Sequence, residues 1–414
     1  MYTAQNVACA HCFAIIGSIE DQLASTWNSM QSPAALKRRQ DQSALLPKLP
    51  LSEEFPLPPK TYCYNGPCCP AKYCSEECRS AAWSSHHRLL CPCLETCTGG
   101  GDSSNTAVGN SNYTTTNTNT TTTSAPVDPF FEEFYSHADI TNDIFVLAAQ
   151  AIATVLTRAQ KELDKSCISI QEAKTNPEVC WSALQTAWTP FKMGHKALWW
   201  ECVAKPDDIS ELDEPRFRAD IKELADDSLG LLTTALTRRR PSLCSLFPTL
   251  FHPHLWGSLI GMFELNNLTL LVSSPVPLWA QAVDDIKEGL RADQRKGLAS
   301  YEAIDSYEGL DGIIESEGEF VVTGNAFYSL QACINHDCQP NAQAWKREED
   351  INGSAVILAL SDIAPGDEIT ICYVDREDDL KKREHELREY GFLCECERCS
   401  AERLASELAH TYVI

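Results

Sequence analysis

No stretch of this sequence is apolar over the roughly 20 consecutive residues that a membrane-spanning helix needs. The first residues, M-Y-T-A-Q-N-V-A, also lack the basic and apolar regions of a secretory signal peptide. We therefore expect an intracellular protein, nuclear or cytoplasmic, with no membrane partner. With 414 residues, 43% of them apolar, the chain can form two or three domains with packed cores.

Basic residues are scarce as well: 34 Lys and Arg face 58 Asp and Glu, which gives a formal net charge of −24. Because contacts to nucleic-acid phosphates need clustered Lys and Arg, this balance argues against direct DNA binding. A protein substrate with a basic, lysine-containing tail suits such a surface better. The alternative, that the acidity only keeps the protein soluble, stays open.

Cysteine, by contrast, is abundant, with 20 residues. In a large intracellular chain, cysteines at C-x2-C and C-x-C spacing indicate zinc ligands, and a disulfide-linked secreted protein is the less favoured alternative. Near the C-terminus, Cys394, Cys396 and Cys399 form a C-x-C-x2-C cluster that supplies three thiolates. A tetrahedral zinc site needs a fourth ligand, for which Cys338 is the candidate.

Three motifs follow one another in the C-terminal third. N-H-D-C-Q-P-N spans Asn335–Asn341, G-D-E-I-T-I-C-Y spans Gly366–Tyr373, and the C-x-C-x2-C cluster comes last. Together they resemble the SET core and post-SET region of protein lysine methyltransferases, most closely the SET-and-MYND family and its plant trithorax-related branch. The resemblance implies an α+β fold: a mostly-β SET core with a cross-braced MYND zinc finger, a helical insertion and a zinc-bound post-SET segment.

A second cluster, near the N-terminus, resembles the MYND finger, in which four pairs of ligands interleave around two zinc ions. The resemblance assigns one ion to Cys9, Cys12, Cys74 and Cys78, and the other to Cys63, Cys68, His87 and Cys91. Two alternatives stay open: Cys69 in place of Cys68, and His86 in place of His87. The Pro-rich residues 20–60 are expected to form an exposed loop insertion within the finger.

The expected organisation is a finger at 1–92, a low-complexity disordered linker at 93–128, a helical insertion at 129–255, a SET core at 256–375 and a post-SET segment with tail at 376–414. Apolar spacing predicts helices over 143–158, 181–203 and 216–236. Asn142 or Asp143 would cap the first helix, and the Trp199-Trp200 pair would lie in the core. An acidic, exposed loop is expected at 284–319, before the core resumes at Phe320.

The resemblance also implies roles for individual residues. Tyr373, at the end of an apolar strand, would be the catalytic tyrosine that orients the lysine amine. The cofactor would contact Asn266, on a strand within Gly261–Leu270, together with Ala332, Ile334, Asn335, His336 and Phe392, the last stacking on the adenine. Tyr328 and Tyr390 would line the lysine channel. By residue type alone, the Asn-His pair could be a buried turn, and the aromatic residues could simply fill a core.

The implied activity is N-methylation of protein lysines, on a histone or another protein, with S-adenosylmethionine (SAM) as cofactor and three structural zinc ions. The alternative is a non-catalytic zinc-binding scaffold, in which the finger binds Pro-containing partner peptides and the SET portion is degenerate or truncated. In the family, a strand with a Gly-x-Gly turn precedes the finger and walls the cofactor pocket. This sequence starts eight residues before Cys9 without that strand, so we expect a truncated chain rather than one that has lost the pocket wall.

Overall fold

The computed structural model describes residues 8–18, 21–22, 57–94, 126–296, 321–345 and 352–411. Most of the expected insertion at 20–60, most of the expected linker and residues 297–320, including Phe320, lie outside the described residues. Within the described part, no helix is both long and apolar enough to cross a membrane. Many helices and four two-stranded sheets make up this part, which confirms the expected α+β class.

The N-terminal unit is built around cysteines. Its elements are strands β1 (Thr61–Tyr62) and β2 (Lys72–Tyr73), which pair antiparallel, and helices α1 (Glu76–Ala82) and α2 (Arg88–Leu90). Ser75 caps α1 by accepting a hydrogen bond from the backbone N–H of Cys78. The core of this unit consists mainly of cysteines around Tyr73. Little apolar surface is buried in this core, so it contributes little stability by itself.

The two ends of the expected linker lie side by side. Cys93 and Val127 form an antiparallel bridge, and the N–H of Leu94 donates to the Pro126 carbonyl at 2.9 Å. The residues that flank segment 95–125 are therefore adjacent in space.

A helical region follows. Its helices are α3 (Pro129–Ile140), α4 (Ile144–Lys165), α5 (Ile170–Lys174), α6 (Pro177–Ala187), α7 (Trp199–Cys202), α8 (Glu214–Arg239), α9 (Pro241–Cys244) and α10 (Pro253–Asn266). The central helix is α4, which buries Phe145, Ile152 and Leu156 completely. The helix predicted over 143–158 is thus confirmed, and Asn142 Oδ1 accepts a hydrogen bond from the Ile144 N–H at its start.

The other two predicted helices differ in outcome. Helix α8 contains the whole of 216–236, which is confirmed. The helix over 181–203 is wrong in its middle, because Pro190 and Gly194 interrupt it between α6 and α7. Trp199 is 2% exposed and packs edge-on against Phe145, as predicted for a core residue, whereas Trp200 is half-buried.

The strand predicted within Gly261–Leu270 is wrong in its first part, because α10 continues through Asn266. Pro253 favours a helix start, and the apolar run behind it stays helical because nearly all of it is buried in the helical core. Strand β3 (Asn267–Ser273) begins only afterwards and pairs antiparallel with β4 (Val321–Phe327).

The acidic loop expected at 284–319 is wrong over 284–295, which belongs to helix α11 (Val276–Arg295). Val276, Trp279 and Val283 are buried along one face of this helix, while the acidic residues lie among the other positions. These three apolar residues have helical spacing in the sequence, but the acidic residues that follow them led to the prediction of a loop. The rest of the expected loop lies outside the described residues.

The C-terminal part combines short strands with two helices. Its elements are β5 (Asn335–His336), β6 (Ala342–Trp345), β7 (Val356–Ala359), β8 (Thr370–Ile371), α12 (Leu380–Glu389) and α13 (Glu397–Thr411). Strands β6 and β7 form an antiparallel pair, whereas β5 and β8 are parallel. Parallel strands need a long connection between them, so this pairing joins segments that are distant in sequence.

Candidate active site

Pairing of β5 with β8 brings the N-H-D-C and I-T-I-C-Y motifs together, with His336 opposite Ile371. The Asn341 side chain adds a second tie between the same segments. Its amide donates to the Glu368 carbonyl at 2.8 Å, and its Oδ1 accepts from the Thr370 N–H at 2.9 Å. The two motifs are therefore held in one fixed register.

Tyr373 follows β8 and turns its hydroxyl back onto the first motif. The hydroxyl donates to the Ile334 carbonyl at 2.6 Å. Burial raises the pKa of Tyr373, and the nearby Tyr390 and Glu368 add to the shift. The phenol therefore stays protonated near neutral pH and presents an oxygen dipole next to a backbone carbonyl.

His336 connects this tyrosine to the cysteine cluster. Its Nδ1 accepts a hydrogen bond from the Tyr373 N–H at 3.0 Å, and its Nε2 lies 3.3 Å from the Cys338 Sγ. Burial lowers the pKa of His336, which favours the neutral ring. Because Nδ1 must be unprotonated to accept, the proton sits on Nε2 and points at the sulfur.

Two further aromatic rings complete the cluster. The Tyr373 ring lies 5.0 Å from that of Tyr390, and Phe392 lies 5.8 Å from His336 between ring centroids. Gly391 separates the two and has a φ of 81°, a backbone region that favours glycine. The turn at Gly391 lets the rings on both sides of it face the same site.

Two clefts border the predicted channel residues. The first, which we call the Tyr390 cleft, has a volume of about 550 Å³ and is lined in part by His195, Leu265 and Tyr390. The second, the Tyr328 cleft, has about 600 Å³ and lies between the first cysteine pair and strands β3 and β4. Tyr328 donates its hydroxyl hydrogen to the Gly353 carbonyl there. The two tyrosines thus border different clefts, and a channel role stays a prediction for each.

The C-terminal cysteines form one compact group. The sulfur atoms of Cys338, Cys394, Cys396 and Cys399 all lie within 4.8 Å of one another. Cys338 is 3.4 Å from Cys399 and 4.0 Å from Cys394, between Sγ atoms. Zn–S bonds of about 2.3 Å at tetrahedral angles would separate the sulfurs by roughly 3.8 Å, so this group could hold a zinc ion.

The finger contains two such groups, and the pairs of residues that form them interleave along the sequence. One group consists of Cys9, Cys12, Cys74 and Cys78, and the other of Cys63, Cys69, His87 and Cys91. In the second group, His87 Nε2 lies 3.3 Å from the Cys63 Sγ. His86 instead makes a hydrogen bond with the Ser85 hydroxyl, so His87 is the histidine that fits.

The prediction of Cys68 as a ligand is wrong, and the alternative, Cys69, takes its place. Cys69 is 1% exposed and its Sγ lies 3.3 Å from His87 Nε2. The Cys68 thiol donates instead to the Asn65 carbonyl at 3.1 Å. Cys68 is the last residue of a tight turn over Gly66–Cys68 and Cys69 follows it, so their side chains point in different directions. Only one of the two can therefore enter the group.

The thiols in these groups cannot all ionise without a cation. A hydrogen bond with Cys12 lowers the pKa of the Cys9 thiol to about 4, whereas burial raises the pKa of Cys74 to about 12. A bound divalent ion removes this conflict, because metal ligation deprotonates every thiol. Thiolates with at most one imidazole fit Zn²⁺ in all three groups, and four protein ligands leave no open position for chemistry.

A family model described as the SET domain matches residues 164–374, about half of the sequence. The chain belongs to the SET-domain family. The match covers much of the helical region together with the segment that carries Tyr373. This single match crosses the boundary that we predicted between the helical insertion and the SET core. The predicted domain boundaries therefore stay a prediction.

Among the relatives of this SET-domain chain, the histone-lysine N-methyltransferase ATXR2 of Arabidopsis thaliana is 38% identical over 85% of the chain and 64% of the relative. The protein-lysine N-trimethyltransferase SMYD5 of Homo sapiens is 28% identical over 82% and 66%, respectively. A SET and MYND domain-containing protein of Dictyostelium discoideum is 44% identical over 19% of the chain and 22% of the relative. The chain thus spans less than two thirds of the length of the two long relatives. The predicted relation to the SET-and-MYND family and its plant branch is confirmed.

The remaining predicted cofactor residues lie around this site in different settings. Asn335 is exposed, and its amide donates to the Glu368 carboxylate at 2.6 Å. The N–H of Ala332 donates to the Tyr328 carbonyl at 2.9 Å within the same segment. Asn266, at the end of α10, donates its amide to the carbonyls of Met262 and His195 at 2.7 and 3.1 Å. It therefore lies at a helix end and not on a strand, beside His195 and Leu265, which line the Tyr390 cleft.

Two residues that organise the site were not predicted from the sequence. The backbone and side chain of Glu368 contact both asparagines of the first motif, Asn335 and Asn341. The signal for it was its place in G-D-E-I-T-I-C-Y, just before the strand. Arg383 is completely buried behind the C-terminal cysteines. Nothing marked it, because K-K-R-E-H-E has the composition of a solvent-exposed helix face.

Proposed function

We propose that this chain is the SET and MYND part of a SAM-dependent protein-lysine N-methyltransferase. The observation that carries the proposal is the fixed register of β5 and β8, which places the Tyr373 hydroxyl, the Ile334 carbonyl and the His336 ring at one point. The names of the two long relatives, a histone-lysine and a protein-lysine methyltransferase, support the same reaction class.

The residues of the site suit a reaction in which positioning does most of the work. When bound, SAM supplies a methyl group on a positively charged sulfur. A lysine ammonium has a pKa near 10.4 in water, and an apolar setting favours its neutral, nucleophilic form. The Tyr373 hydroxyl and the Ile334 carbonyl would orient the amine through their dipoles and favour the positive charge that it gains. Tyr373 is the proposed catalytic residue.

The proposed cofactor contacts are Asn335 and His336, the backbone of Ala332 and Ile334, Asn266 at the end of α10, and the ring of Phe392. The Tyr390 cleft fits a ligand of this kind, because its volume of about 550 Å³ lies within the range of small-molecule sites, roughly 300–1,000 Å³. Leu265, the neighbour of Asn266, lines the same cleft. Gly391, the neighbour of Phe392, lines it as well, so two of the proposed cofactor contacts adjoin residues of this cleft in sequence.

Three zinc ions are proposed as structural elements, one in each Cys and His group. The proposed substrate is a protein with a basic, lysine-containing tail, which the net charge of −24 would attract. The finger is proposed to bind Pro-containing partner peptides, and the protein to reside in the nucleus or the cytoplasm. Direct DNA binding is disfavoured by the same negative charge.

Isothermal titration of SAM into the zinc-loaded chain tests the proposal. We expect saturable binding at one site. Phe392→Ala should weaken it roughly 5- to 150-fold, since stacking a base on an aromatic ring is worth about 1–3 kcal/mol. Leu393→Ala is the matched control, because this neighbouring side chain is 50% exposed. Absence of SAM binding with all three zinc ions present would contradict the proposal and favour the non-catalytic scaffold.

A further inference from the structure

The Arg383 side chain, on α12, is 0% exposed, which is rare for a charged residue. One guanidinium nitrogen donates to the Asp378 carbonyl at 2.5 Å. The other donates to the Glu402 carboxylate at 2.6 Å and to the Cys399 Sγ at 3.7 Å. The Nε is buried without a hydrogen-bond partner. A buried cation therefore lies directly against the C-terminal sulfur group.

The position of Arg383 can be explained by the charge of the neighbouring metal site. Four thiolates outweigh one Zn²⁺ by two negative charges, and such a charge is costly inside a protein unless it is compensated. Glu402 does not depend on Arg383 alone, because Arg398 also pairs with it at 2.8 Å. An arginine guanidinium is not deprotonated in proteins, whatever its surroundings. The guanidinium thus keeps its charge beside the sulfurs.

We propose that Arg383 is a positioning residue of the C-terminal metal site: it compensates the thiolate charge and orients Cys399 by an N–H···S hydrogen bond. The inference rests on the proposed zinc site and is independent of methyl transfer. It also connects α12 to the candidate active site, because Cys338 lies 3.4 Å from Cys399 and its sulfur faces His336. Loss of Arg383 should therefore loosen the metal and with it the support of His336.

Pulsed alkylation of the zinc-loaded chain with N-ethylmaleimide, followed by mass spectrometry, measures the metal protection of each cysteine. Loss of such a supporting contact weakens metal binding by about 10- to 100-fold in general, so Arg383→Gln should accelerate labelling of Cys394, Cys396 and Cys399 by about that factor. Labelling of the finger cysteines should stay unchanged, which provides an internal control for folding. Arg383→Lys, which keeps the charge and loses the planar fork, should give an intermediate rate.

Two variants separate charge compensation from helix packing. Glu402→Gln removes the ion pair but leaves the guanidinium on the sulfur, and Arg398→Gln removes the more exposed partner of the same carboxylate. Both should change the labelling rates by less than about threefold. The inference is wrong if Glu402→Gln labels as fast as Arg383→Gln, or if Arg383→Gln equals the wild type. If the wild-type cysteines are not protected at all, the proposed zinc site itself fails.

Discussion

Replacing Arg239 with Gln should weaken the contact between the finger and the helical region and thereby lower the stability of the protein. This residue ends α8 and donates hydrogen bonds to the carbonyls of Leu89 and Cys91, just before and at a proposed zinc ligand. Its guanidinium also pairs with the Asp128 carboxylate at 2.9 Å and stacks on the Phe131 ring at 4.0 Å. The paired side chains are only 7% and 11% exposed, so water screens this interaction weakly.

Removal of one partner from a buried ion pair costs about 3–5 kcal/mol, because the other charge remains buried without compensation. Asp128 also caps α3 by accepting from the Phe130 N–H, which lessens the penalty. We therefore expect Arg239→Gln to lower the free energy of unfolding by about 3 kcal/mol. Arg238 is the matched control, since it is exposed and lies over the Phe130 ring, an interaction worth about 0.5–1 kcal/mol.

Urea denaturation followed by tryptophan fluorescence measures these changes, and alkylation of Cys91 shows whether the finger opens first. Adding Asp128→Asn to Arg239→Gln should recover part of the lost stability, because the uncompensated carboxylate is then gone. Equal effects of Arg239→Gln and Arg238→Gln, both below about 1 kcal/mol, would refute the reasoning.

Three other results are expected. Gly261→Ala should destabilise the protein by about 1–3 kcal/mol in thermal unfolding, since the new Cβ would lie 2.2 Å from the Ala197 carbonyl oxygen. Gly230→Ala on α8 is the control: a Cβ there meets open space, so this variant should stabilise the protein by about 0.5–1 kcal/mol. Replacement of segment 95–125 by a short Gly-Ser turn should raise the free energy of unfolding by about 1–2 kcal/mol. The flanking residues already pair, and a shorter loop costs less entropy to close. A lower free energy of unfolding would contradict this. Chelation of the zinc ions should unfold the finger and the post-SET segment, as measured by circular dichroism, and not merely inhibit activity. Unchanged spectra after complete zinc removal would contradict this prediction.

The sequence predicted best what depends on covalent spacing. Ligand pairs close in sequence, such as Cys394 and Cys396, lie close enough to hold the same metal ion whatever the rest of the chain does. The choice between Cys68 and Cys69 depends instead on the direction of one tight turn, which composition does not reveal. The helix over 143–158 was predictable because its apolar period is unbroken.

Features that depend on tertiary packing were not predictable. Whether Asn266 ends a helix or lies on a strand depends on how far α10 packs against its neighbours, and both outcomes suit an Asn-Asn pair. The burial of Arg383 depends on α12 and α13 meeting behind the cysteine group, a contact between segments without a shared pattern. The buried face of α11 was likewise not predicted, because the acidic residues on its other faces are typical of an exposed loop.

Methyl transfer itself tests the central claim most directly. The full zinc-loaded chain is incubated with isotope-labelled SAM and a basic, lysine-containing protein such as a histone, and the product lysines are read by mass spectrometry. The proposal predicts N-methyl-lysine with the wild type and its loss or strong reduction with Tyr373→Phe, at unchanged zinc content. Equal methylation by both proteins would contradict the role of Tyr373, and no methylation by a wild type that binds SAM would contradict the proposed activity.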